Sequence, residues 1–382
     1  MSTQVRGDLD LLLDTVDQFA GKAEHRLFAE ESPDGDLEAI GDLLLDAAEI
    51  GLLADVDEDV GRWGVWGAHV NDEGPALSLA VLRRLGRVCA GLAAAVHAQG
   101  LGVLLLGSKG IEQSLPPGTR LGAGFCPPYG LALDPRTTQD RIHLVDDRLD
   151  GTARFVLSAG TADAVALAVH APSANGGAAE AVVILPVETP GLRVVPSGRR
   201  VGLRAVTMFD VVTDGVRITQ EGQQCCGSSP ADRLRTTVAA DWLGQAAIAL
   251  GCAEQAVSVA RTYTQSRVQG GVTISEHAAI RLLLSRAEYD AAVVASILDR
   301  HADTPLAHLD ANTLLRWAID ARIAVGEHAS RAVTNALQAL GGYGYMDEYG
   351  LSKRLRDLTA LRVLHGGPDQ LLLARNDLGA AS

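Results

Sequence analysis

Few residues of this chain combine the type and the setting needed to move a proton. Asp241 is an acid inside an otherwise apolar helical stretch, beside Trp242, where an isolated charge is costly unless it has a partner or a role. His365 stands before two glycines in Leu364-His365-Gly366-Gly367. An imidazole there is a weak base for abstracting a proton from carbon unless the substrate carbonyl is strongly polarised, and the glycines beside it read as a turn. Gly341-Gly342-Tyr343-Gly344-Tyr345 follows a helical run from Arg331 to Leu340, and by itself reads as a helix C-cap with its turn. His277, His301, His308 and His328 sit on helical segments with no second ligand at i+4. The cysteines (Cys89, Cys126, Cys225, Cys226, Cys252) form no C-x-x-C pair, so neither a zinc site nor a disulfide framework is expected. Strand-linked G-x-G-x-x-G, P-loop and G-x-S-x-G patterns are absent.

The elements that would position these residues follow from periodicity. Leu11, Leu12, Val16 and Phe19 are spaced for one helix face, and Leu37, Ile40, Leu43, Leu44 and Ala47 for another, with Asp8 and Asp36 as caps. A further helical run covers 76 to 92. The charge-free stretch from Val88 to Ser108 is interrupted by His97, Gln99 and glycines, which suits a buried helix pair better than a lipid span. From about Arg120 the texture changes to short β-branched runs (141–145, 154–158, 164–170, 181–185, 191–195, 206–213) separated by turn residues, with 171–177 read as a hairpin loop. These predict an antiparallel β domain. Helical pattern returns after Ser228, near 231–265, 274–301, 311–340 and 354–378. The expected fold class is therefore α+β, mostly α: an N-terminal helical domain over 1–118, a middle antiparallel β domain over 119–228 and a C-terminal helical bundle over 229–382.

The 382 residues carry 47 acidic and 33 basic side chains, a net charge of -14, which argues against a nucleic-acid partner. Asp8, Asp10, Asp14 and Asp17 stand where a signal peptide needs a basic start and an apolar run, so a cytoplasmic protein with no membrane partner is expected.

Three ordered segments carry a resemblance to a known family. The first is Gln338-Ala-Leu-Gly341-Gly342-Tyr343-Gly344-Tyr345 with Glu348, followed by Arg356-Asp357. The second is Tyr263-Thr-Gln-Ser-Arg267-Val-Gln-Gly-Gly271, and the weakest is Gly191-Leu192-Arg193 with Val206 to Ile218. In their order along the chain, with helix, β and helix around them, these segments make the chain resemble the acyl-CoA dehydrogenase family. The resemblance implies an α-helical domain, a β domain and a four-helix bundle, with FAD between β domain and bundle and its adenosine and pyrophosphate completed by a neighbouring subunit. It implies an acyl-CoA substrate, a carboxylate that takes its α-proton, and hydride transfer to the flavin. A homo- or hetero-oligomer, dimer or tetramer, is implied as well. Some members act on fatty acyl or steroid side-chain thioesters.

The departures from the family pattern are as informative as the matches. The family's usual base is a Glu at the position of His365, and an alternative base one residue before Arg235 falls on Leu234. The hydroxyl- and amide-bearing flavin segment is replaced by Cys126-Pro127-Pro128-Tyr129-Gly130, and a flavin-contacting hydroxyl by Leu157. By contrast Arg267, Gln338, Gly341 and Gly342, which in the family reach a neighbour's FAD, are kept, and Arg235 is matched to the substrate side. This pattern is similar to the non-catalytic subunits of heteromeric members, which complete a partner's FAD site. Two other readings stay open: a self-sufficient flavoenzyme with Asp241 or His365 as base, and a flavin-free scaffold.

Overall fold

Alanine and glycine let the helices of this chain approach closely, and that sets the architecture. In the computed structural model, which describes residues 3–28, 37–53, 64–67, 69–107, 119–124, 141–172, 178–218 and 230–380, helices precede and follow a single large sheet. The first group comprises α1 (Thr3–Phe28), α2 (Leu37–Glu49), α3 (Ala76–Val88) and α4 (Ala90–Leu106). The last comprises α5 (Pro230–Ser266), α6 (Ala278–Asp299), α7 (Ala311–Ala324), α8 (Ser330–Ala339), α9 (Leu351–Val363) and α10 (Pro368–Ala380).

The N-terminal helix buries Leu13, Val16, Phe19 and Ala20, whereas Leu11 faces solvent, so the apolar stripe is shifted from the one read in the sequence. Asp8 lies inside α1 rather than at its start, because helical turns extend back to Thr3; Asp36 lies outside the described residues. The charge-free stretch forms one helix, α4, starting just after Cys89, and it is apolar on every side because neighbours surround it. Across the middle of the chain, Gly86 of α3 lies on the backbone of Ile248 and Gly251 of α5 on that of Arg83, so any Cβ would force the pair apart. Arg83 fastens this crossing through a two-pronged contact with Glu254.

The sheet contains β1 (Leu121–Gly124), β2 (Ile142–Val145), β3 (Arg148–Leu157), β4 (Ala164–Pro172), β5 (Ala178–Pro186), β6 (Leu192–Pro196) and β7 (Met208–Arg217). It is mixed rather than wholly antiparallel: β4 runs parallel to both β1 and β2, which reach it by crossing connections instead of hairpins, while the remaining pairings are antiparallel. One face packs its own core of Ile142, Leu149, Val165, Leu167, Val169 and Val211; Ala164, Ala166 and Leu157 belong to the main helical core.

The last bundle helices are cut where the sequence suggested continuity. A π-helical turn at Val325–Ala329 separates α7 from α8, and residues 364–367 separate α9 from α10. Asp310 caps α7 by accepting from the amides of Asn312 and Thr313, each at 3.0 Å. Sheet and bundle are pinned by Asp357, whose carboxylate accepts from Leu203 N at 2.6 Å and from Lys353 Nζ at 2.6 Å, all buried.

Candidate functional site

Asp241 lies on α5 where that helix meets α4 and the turn before α10, and three elements converge on its carboxylate. Gly244, one turn further along, leaves a notch filled by the ring of His97 from α4; a Cβ there would overlap the imidazole. His97 Nε2 lies 3.2 Å from Asp241 Oδ1, His365 Nδ1 lies 2.8 Å from Oδ2, and Gln245 Nε2 donates to Oδ2 at 2.8 Å. Asp241 is 1% exposed.

The proton positions follow from a fourth residue. Trp66 Nε1, which can only donate, lies 2.7 Å from His97 Nδ1. That nitrogen must therefore accept, which makes His97 a neutral imidazole whose Nε2–H donates to Asp241. Burial pushes the carboxyl up, but the His365 and His97 imidazoles beside it outweigh burial and hold it well below the usual carboxylate range. The group is thus an ion with its lone pairs committed to three donors.

His365 has φ +55, a left-handed conformation a non-glycine residue adopts only when its surroundings impose it. They do so from both sides. Arg322 Nη2 donates to Leu364 O at 2.9 Å, and Trp242 Nε1 donates to His365 O at 3.0 Å. Arg322 is itself buried, and burial brings its guanidinium down to about 10 against the opposing pull of Asp241. Its Nε and Nη1, like Gln245 Oε1, have no hydrogen-bond partner among the described residues.

A second site is open to the outside. The end of α5 turns into a two-strand ribbon, Val268–Gln269 with Val272–Thr273, and meets the turn after α8. Between them lies a cavity of about 450 Å³ lined by Arg267, Gln338, Gly341 and Gly342, with Tyr263, His277 and Tyr343. The Arg267 guanidinium stands 5.6 Å from the Tyr343 ring centre and forms no ion pair among the described residues. No atom approaches within 4 Å of where a Cβ on Gly341 or Gly342 would be, so their backbones face open space.

The structure thus joins Asp241 to His365, and gathers Arg267, Gln338, Gly341 and Gly342 separately. Arg235 belongs to neither group; it is exposed near the start of α5 and pairs with Asp232 at 2.9 Å. Leu234 and Leu157 are buried. Residues 125–140, with Cys126 and Pro128, lie outside the described residues. Thiol chemistry has no place among the described cysteines: Cys89 and Cys252 are buried, and burial pushes the Cys252 thiol up to about 12. Sequence reasoning missed His97, Trp66, Gln245 and Arg322. A histidine in the middle of an alanine-rich helix is the one sequence signal that points to a buried partner, and by periodicity alone it reads only as an interruption.

Against known proteins, the pattern "Acyl-CoA dehydrogenase, C-terminal domain" matches residues 234–376. The cyclohex-1-ene-1-carbonyl-CoA dehydrogenase of Geobacter metallireducens is 27% identical over 314 residues, 78% of this chain and 81% of that protein. Amino sugar nitrososynthase DnmZ of Streptomyces peucetius is 28% identical over 333 residues, 82% of this chain and 79% of that protein. The butyryl-CoA dehydrogenase structure from Megasphaera elsdenii superposes with a TM-score of 0.80 at 21% identity, covering 98% of this chain and 97% of that one.

Proposed function

We propose, from the premise that the chain belongs to the acyl-CoA dehydrogenase family, that it serves FAD-linked oxidation of an acyl-CoA thioester as a subunit that completes a partner's flavin site and brings no base of its own. One observation carries this reading: the two residues able to act as a base are spent on each other inside a buried network, whereas the arginine cavity opens outward.

The two ends of FAD fit this chain unequally. For the diphosphate end the residues present suit the group. Arg267 offers an exposed guanidinium, Gln338 a side-chain amide, and Gly341 and Gly342 bare backbone, around a cavity in the usual range for ligand sites. For the flavin ring they do not: Leu157 offers no hydroxyl and is packed into the core, and no step is derived through a ring in this chain's own cleft. When bound, the flavin supplies a hydride acceptor. This chain's residues then have a binding task. Arg267 neutralises diphosphate charge, Tyr343 holds the guanidinium in place, and the ribbon and glycine turn set the cavity's shape.

The acyl thioester class follows the two CoA-ester dehydrogenases among the relatives. The nitrososynthase, which by its name acts on amino sugars, marks the competing class. The test is flavin content. Purified alone, the chain should be colourless, and co-expressed with a family member carrying the Glu base it should give a complex with about one FAD per two chains. Arg267→Ala, which removes a contact worth about 1.5–3 kcal/mol, should weaken FAD retention in that complex by about ten- to a hundredfold. A chain that alone binds one FAD and reduces it with an acyl-CoA would overturn the subunit role.

A further inference from the structure

The sheet has a seam that the flavin reading does not use. Strands β1, β4 and β5 form one half and β2, β3, β7 and β6 the other, and the halves join through β2 and β4. That join has a single pairing, His143 opposite His170. Both imidazoles lie on the same side, with ring centres 5.6 Å apart and planes at 87°. Across the flanking strands the row continues with carboxylates. Asp150 on β3 pairs with His143, and Glu180 on β5 pairs with His170. Residues directly opposite each other share a face, so four neighbouring strands align Asp, His, His and Glu.

We infer that this histidine pair is a divalent transition-metal site, in which His143 and His170 are the protein ligands and solvent completes the set, stapling the two halves of the sheet. The spacing suits the ion. A Zn–N bond of about 2.0–2.1 Å puts each ring centre about 3.2 Å from the metal, so two imidazoles at a tetrahedral angle have centres about 5.2 Å apart. The observed 5.6 Å needs only a slightly wider angle or a small rotation of the rings. Among the described residues no three metal-ligating side chains converge, which leaves the positions beyond the two imidazoles to solvent. Imidazole ligands select zinc, nickel or copper over magnesium. The ion would hold the halves together where the backbone ladder is thinnest, and binding to the folded state alone raises stability.

The experiment uses the full chain, treated with EDTA and titrated with ZnCl2 by calorimetry. Uptake of one zinc per chain at micromolar concentration is expected, unaffected by a tenfold excess of Mg2+, with a higher melting midpoint at saturation. His143→Ala changes an exposed residue, and with His170→Ala it should weaken zinc binding by more than the about 10–100-fold that loss of even an outer-shell partner costs. It should also abolish the melting shift. No zinc uptake at micromolar concentration, equal competition by Mg2+, or unchanged affinity in the folded His143→Ala protein would each overturn the site.

Discussion

Replacing Asp241 separates a committed ion from a catalytic base, and the structure supplies the magnitudes. Asp241→Ala removes the acceptor of three donors, the buried His97 Nε2 and Gln245 Nε2 and the partly buried His365 Nδ1. Each orphaned donor costs about 1–3 kcal/mol, and Arg322 loses its nearest compensating charge, so the total falls in the range of about 3–5 kcal/mol seen when a buried pair is broken. Asp241→Asn should cost less, about 1.5–3 kcal/mol, the difference between charged and neutral hydrogen bonding. Its amide oxygen can still serve His97, whose donor is fixed by Trp66, and its NH2 can meet Gln245 turned to present Oε1. Because the folded carboxyl is held below its unfolded value, the stability it contributes is fully present above the unfolded value of about 3.9 and is lost as pH falls from there. Asp241→Asn should therefore flatten the acid limb of the stability profile by up to one proton, about 1.4 kcal/mol per pH unit. The assay is urea unfolding followed by tryptophan fluorescence from pH 3 to 8, with turnover per bound flavin measured on the assembled complex. The reasoning fails if Asp241→Asn is less stable than Asp241→Ala at neutral pH. It fails equally if Asp241→Asn retains flavin but loses turnover about a hundredfold or more, the mark of a lost base.

Two further substitutions test the packing around the site. Gly244→Ala puts a methyl group into the His97 ring, which is held at both nitrogens and has little room to yield, so a melting midpoint lowered by several degrees and increased quenching of Trp66 are expected. A variant as stable as the parent would show that the ring can move aside. Asp357→Ala removes the acceptor of Leu203 N and the buried ion-pair contact to Lys353, which should cost about 3–5 kcal/mol in urea unfolding. A loss below about 1 kcal/mol would mean that the sheet and the bundle are held together elsewhere.

Local sequence was enough to determine the order of elements and to group the residues that line the arginine cavity. Alternating β-branched runs between 141 and 213 and alanine-rich periodicity after 230 are short-range signals, and both are present as strands and helices. Arg267, Gln338 and the two glycines could be grouped because each segment carries a pattern the family keeps, and they line one cavity. The sequence also marked Asp241 as needing a partner, since an acid in an apolar helix states its own cost. Which partner was beyond it. His97 lies 144 residues away and His365 lies 124 residues away, and no periodicity links them. The mixed sheet was equally hidden, because strand composition does not say whether the next strand returns by a hairpin or crosses over. Only the folded chain, by seating the His97 ring in the Gly244 notch and clamping both carbonyls at His365, decided that these groups satisfy each other. Hydrogen-bond satisfaction in a dry interior depends on where side chains meet in space, and that information is distributed over the whole chain.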